Sequence, residues 1–119
     1  MIGKMIGVMF LSREVAHREH LKTHSFAQHM ALGSFYDGIV GIADSIVEMY
    51  QGRNGIIDDI PMIDNVGSGS IDKILETHLK MIEKMRYTAV DKSETAIQNE
   101  IDTAVGLYLS TLYKLRNLK

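Results

Sequence analysis

The chain has no cysteine and no tryptophan, one proline, and only eight aromatic residues, five Tyr and three Phe, among 119. Without cysteine there are no disulfides and no thiolate chemistry. Any metal site must then use His, Asp and Glu. There is no basic excess either: 13 Lys and Arg against 15 Asp and Glu give a formal charge of −2, which argues against a strongly basic nucleic-acid binder. No continuous apolar run approaches the ~20 residues needed to span a bilayer. The N-terminal run MIGVMFL is followed by SREVAHRE and not by a small-residue cleavage pattern. It therefore reads as the start of a helix and not as a signal peptide, and the expectation is an intracellular, cytoplasmic protein. The length suits one domain, residues 1–119, with its own core.

The scarcity of proline locates the main loop. Pro61 lies in GRNGIIDDIPMIDNVGSGS, residues 52–70, a stretch rich in Gly, Asp and Asn with no helical period. Everything else reads as helix. Ile2, Met5, Ile6, Met9 and Phe10 recur at helical spacing and open a first helix that continues to about Lys22. Ser25-Phe26-Ala27-Gln28 is a capping box that starts a second helix near Phe26, running to Gln51 with Gly52 as C-cap. Ser70 is the expected N-cap of a third helix with the stripe Ile71, Ile74, Leu75, Leu79, Ile82 and Met85. Asp91-Lys92-Ser93-Glu94 opens the fourth, with Ile97, Ile101, Ala104, Val105, Tyr108 and Leu112 inward. Two short connections and one long one predict an all-α, ferritin-like four-helix bundle with a long crossover between the second and third helices. Met5, Met9, Met30, Met49, Met81 and Met85 read as gap-filling core.

Against this plain background the histidines stand out. Four of the five, His17, His20, His24 and His29, crowd one end of residues 16–52. Asp44 and Glu48 share one helix face at the other end. His29 precedes Asp44 by fifteen residues, about 22 Å of helix, too far to share an ion. The reversal near His24 and Ser25 brings His17 or His20 back beside His29. Within one chain the imidazoles and the acid pair cannot meet. Two chains with their second helices antiparallel about a two-fold axis would bring each histidine group to the partner's acids, giving two equal sites. Mixed imidazole and carboxylate suits Fe(II), Mn(II) or Zn(II) better than Ca(II) or Mg(II). Gly33, Gly38 and Gly41 interrupt the second helix. Gly33 and Gly41 fall near the Asp44/Glu48 face and make it a close-approach surface. The plainer reading is that these are solvated helix-surface residues of a common kind. His78 reads as a surface or boundary residue of the third helix, with no imidazole partner nearby.

The spaced set resembles the Dps family, the DNA-binding proteins from starved cells, which are ferritin-like mini-ferritins. His17, His29, Tyr36-Asp37, Asp44 and Glu48 fall at that family's spacings, and FYDGIVGIADSIVEMYQG is similar to its second helix. The resemblance implies a homo-oligomer, a hollow dodecamer built from two-fold dimers. Inter-subunit ferroxidase sites would oxidise iron, Fe(II) to Fe(III), typically with hydrogen peroxide, and the product would be stored in the cavity. His17 and His29 would come from one subunit, Asp44 and Glu48 from its mate. His20 is an alternative ligand, and the acidic loop residues Asp58, Asp59 and Asp64 would draw in cations. The chain departs from the family at Gly33, where an acid is usual and where Asp37, one turn on, is the substitute. Arg18-Glu19 stands in place of Trp-Asn after the first His. With no lysine-rich tail, DNA compaction is not expected. Short, phage-encoded relatives are of this kind, which would place the protein in a host cytoplasm.

Three other classes compete. One is a non-enzymatic assembly or scaffolding protein of the same build without a working ferroxidase site. Another is an all-α nucleotide-handling enzyme placing Mg(II) with Asp44, Glu48, Glu94 and Glu100, which leaves the histidines unexplained. The third is DNA binding through Lys114, Arg116 and Lys119, a cluster that equally suits the C-terminal end of a helix dipole.

Overall fold

Four helices account for most of the chain in a computed structural model that describes every residue except 65, which falls in the predicted loop. They are α1, Ile2–Lys22; α2, Phe26–Asn54; α3, Ile71–Ala89; and α4, Thr95–Asn117. Among the described residues there is no strand. α1 packs against α2 and α3, and α4 packs against the same two. This arrangement is compatible with a four-helix bundle, and the 29 residues of α2 match the long dimension of 44 Å.

The apolar stripes meet as the periodicity predicts, except at Phe10, which is 39% exposed. Met5, Ile6, Met9, Leu32, Phe35, Ile39, Ile46, Leu75, Ile82, Ile101 and Tyr108 are fully enclosed. Phe35 and Tyr108 cross edge to face with ring centres 5.0 Å apart, an arrangement aromatic quadrupoles favour. Met5, Met9 and Met85 are core, as expected, but Met30 is 53% exposed on the outer face of α2.

The helix ends differ from expectation in instructive ways. Ser25 caps α2 by accepting from the Gln28 amide at 3.1 Å. The return bond of a capping box is not made; the Ser25 amide donates to the Thr23 hydroxyl at 3.1 Å instead. α2 passes through Gly52 and ends at Gly55, whose φ of 82° is the left-handed conformation only glycine adopts cheaply. α4 begins at Thr95, later than predicted, because the Asp91 carboxylate is occupied upstream. It accepts from the Ser93 amide and hydroxyl at 2.8 and 2.7 Å, forming a local turn. Ser70 likewise bonds Asp72 and not the helix backbone.

The α3–α4 turn is held by a buried cation. The Arg86 guanidinium donates to the Gln98 side-chain and backbone oxygens at 3.0 and 2.9 Å and to Asp102 at 2.7 Å. The segment between α2 and α3 lies against α1. A Cβ on Gly3 would collide with the Asp59 carbonyl, and one on Gly7 would come within 2.8 Å of the Pro61 carbonyl and 2.9 Å of Ile63. These two glycines, one turn apart, are the groove that seats the segment. By length and composition alone α2 is apolar enough to cross a membrane, with 33% of its most apolar stretch buried. Asp37, Asp44 and Glu48 nevertheless line its exposed side.

Candidate metal centre

The tight connection between α1 and α2 puts His20 beside His29. Their rings stack with centroids 3.7 Å apart and planes 16° from parallel. Each ring also reaches the other residue's backbone. His20 Nδ1 lies 2.6 Å from the His29 carbonyl, and His29 Nδ1 lies 2.8 Å from the His20 carbonyl. A carbonyl can only accept, so each Nδ1 carries a proton, and the neutral tautomer compatible with these bonds has its lone pair on Nε2. The His20 carbonyl sits in the last turn of α1, where carbonyls lack intrahelical partners, and His29 supplies one. An Nδ1–H held by a backbone carbonyl is the outer hydrogen bond that metal-binding imidazoles use.

Two more groups complete the cluster. His17, one turn before His20, has its centroid 6.3 Å from that ring at a tilt of 52°. It stacks on Tyr36 at 4.3 Å and 17°, and Tyr36 meets His20 edge-on at 5.2 Å. The Arg13 guanidinium lies 5.8 Å from the Tyr36 ring centre. Gly33 explains how His20 fits: a Cβ there would come 3.1 Å from His20 Cε1 and 3.3 Å from Nδ1. His17, His20 and His29 are half-buried, whereas His24 is exposed in the turn and enters none of these ring contacts.

The acids lie elsewhere. Asp37, Asp44 and Glu48 are exposed along the outer face of α2, in line with exposed Ser34 and Gly41. A Cβ on Gly41 would meet nothing within 4 Å. Among the described residues no group of three or more His, Asp or Glu side chains is placed to hold a metal ion. One chain therefore offers the imidazoles at one end of α2 and the acid pair at the other, as helix arithmetic requires. Asp58, Asp59 and Asp64 are exposed in the α2–α3 segment. Glu94 and Glu100, the further acids of a Mg(II) reading, are engaged by Arg53 at 3.0 Å and by the Ser45 hydroxyl at 3.0 Å.

His78 corrects its expectation as a surface residue: it is 0% exposed. Its Nδ1 lies 2.7 Å from the Ser12 hydroxyl and its Nε2 lies 2.8 Å from the Val66 carbonyl. The Tyr108 hydroxyl donates to Ser12 at 2.6 Å. With the proton on Nε2, His78 donates to the Val66 carbonyl, and its Nδ1 shares the single Ser12 hydroxyl hydrogen with the Val8 carbonyl 3.0 Å away. A chain of three bonds thus ties α4, α1, α3 and the α2–α3 segment together. Burial lowers the His78 pKa below the ordinary imidazole value, against the opposing pull of the Val66 carbonyl. Burial also raises that of Tyr108. The Ser–His contact resembles a nucleophile and its base, but both residues are wholly enclosed and no substrate can reach them. The signal was available in the sequence. His78 falls on the stripe Ile71, Leu75, Leu79, Ile82, and Ser12 on the stripe Met5, Val8, Met9, Ala16.

No curated protein and no solved structure matches the sequence. One family model does, over residues 20–115, a span that includes His20, His29, Asp44, Glu48 and His78 and stops short of His17. The chain belongs to that family, DUF5856, a family of unknown function.

Proposed function

We propose that this protein is a mini-ferritin-like iron handler. It takes Fe(II) as substrate at sites shared between two copies, oxidises it and sequesters the ferric product, so limiting peroxide chemistry. The observation that carries the reading is the reciprocal pair of Nδ1–H bonds between His20 and His29, which leaves Nε2 lone pairs at one end of an α2 whose exposed face bears Asp44 and Glu48 at the other. Antiparallel α2–α2 contact about a two-fold axis would bring each imidazole group to the acid pair of the second copy. With His29 opposite the Asp44–Glu48 turn, exposed Ser34 falls opposite Gly41, small against small. The contacts of the α2–α3 segment with Gly3, then Gly7, then His78 support a ferritin-like crossover along the bundle.

The residues have distinct tasks. His17 and one member of the stacked pair donate nitrogen; Asp44 and Glu48 from the second copy offset the charge that grows as Fe(II) becomes Fe(III). Asp37 and the acids of the α2–α3 segment attract cations to the surface. Each Fe(II) yields one electron, so two Fe(II) are oxidised for each hydrogen peroxide reduced to two hydroxides. Mn(II) or Zn(II) suits the same donors. The assembly is a dodecamer of two-fold dimers in the cytoplasm.

A second reading, a Dps-like scaffold without ferroxidase activity, is favoured by Gly33, whose neighbouring space holds the His20 ring and no carboxylate. Peroxide-driven Fe(II) oxidation by the wild type, His17→Ala and Asp44→Ala separates the two. Iron handling predicts a fast wild type and slow variants. Equal rates in all three would overturn it, and a defined oligomer purified without stoichiometric metal would favour the scaffold.

A further inference from the structure

We infer that the imidazoles holding the cation are His17 and His20, both from α1, and that His29 is a positioning residue beneath His20. The inference rests on the reading that this end of the hairpin binds a metal ion. An ion lies in the plane of each imidazole that binds it, along the Nε2 lone pair, at about 2.0–2.1 Å. His20 and His29 are stacked at 3.7 Å with planes 16° from parallel. Nearly parallel planes separated by a ring thickness share no point where an ion could sit. His17 and His20 are tilted by 52° with centroids 6.3 Å apart. Their planes intersect, and residues three apart share a helix face. A ring centre stands about 3.2 Å from its ion, so a shared ion needs centroids roughly 4.5–5.5 Å apart. The observed 6.3 Å leaves a gap of about 1 Å that the two side chains close on taking up the ion.

The surroundings divide the same way. Each α1 imidazole has an α2 ring beneath it, Tyr36 under His17 at 4.3 Å and His29 under His20 at 3.7 Å. The His29 carbonyl holds His20 Nδ1–H at 2.6 Å, which fixes the tautomer that keeps the lone pair on Nε2. The His20 ring lies over Gly33, one turn from exposed Asp37, on the side of α2 that carries the acids.

Co(II) titration of the full chain, followed by its visible absorption, tests the assignment. His29→Phe keeps the stacked ring and the backbone carbonyl, so it should weaken Co(II) by about threefold or less, while His20→Phe should weaken it by roughly a hundredfold. Gly33→Ala, which crowds the His20 ring while leaving every proposed ligand residue in the sequence, should weaken it by about tenfold. It also keeps the test alive should His20→Phe unfold, which circular dichroism would reveal. If His29→Phe loses Co(II) while His20→Phe keeps it, or both lose it alike, the assignment falls and the metal-site reading stands. A wild type that binds no Co(II) overturns both.

Discussion

The two histidine environments differ in one respect that decides their use. His78 has both ring nitrogens engaged, by Ser12 and by the Val66 carbonyl, in a fully enclosed core. His20 and His29 each have one nitrogen engaged, by a backbone carbonyl, at a half-open hairpin. An imidazole with no free nitrogen ties helices together; one with Nε2 free can bind. The core trio of His78, Ser12 and Tyr108 should therefore govern stability and leave metal binding alone. His17 and His20, at the open hairpin, should do the reverse.

The largest effect should come from Tyr108→Ala. It removes an enclosed ring that packs on Phe35 and leaves Ser12 without its donor. Urea unfolding should show a loss of about 3–5 kcal/mol; a loss below about 1 kcal/mol would mean the core network does not hold the bundle. His17→Ala should cost little stability, about 1 kcal/mol or less at a half-buried site, yet weaken Co(II) binding by roughly tenfold or more. Large destabilisation with unchanged binding would erase the distinction.

A pH series sharpens it further. Burial keeps the folded-state pKa of His78 below its unfolded value of 6.5. The unfolded chain then takes up a proton that the folded one resists. The contribution is full above about pH 6.5 and is lost as pH falls from there towards the folded pKa. Between pH 7.5 and 5.5 the wild type should lose stability in urea melts, and His78→Gln should lose visibly less. An identical slope in both would remove His78 as the source. The smallest effect belongs to His24→Ala. This exposed residue touches neither network, so stability should change by about 0.5 kcal/mol or less, with Co(II) affinity unchanged.

How much of this the sequence disclosed follows the same division. Local signals were legible: the stripes of α1 and α3, the Ser25 cap, the hairpin reversal, and the separation of His29 from Asp44 along one helix. Signals that depend on distant partners were not. The apolar stripes on which Ser12 and His78 fall mark both as inward, but nothing near Ser12 announces that its partner is His78, 66 positions away. The Asp91 motif misled because a carboxylate can close its own turn as readily as cap a helix. Gly33 looked like an interface glycine, and its close neighbour is the chain's own His20 ring.

The central claim is that a cation is gripped by imidazoles from one copy and by acids from another. Complementation in mixed dimers tests it most directly. The double variants His17→Ala/His20→Ala and Asp44→Ala/Glu48→Ala should each bind no Co(II) and oxidise no Fe(II). After dissociation and reassembly together, each mixed dimer should regain one intact site and one fully disabled site, restoring binding in proportion to the mixed dimers formed. Mixed dimers that form, by native mass spectrometry, and still bind nothing would contradict the claim.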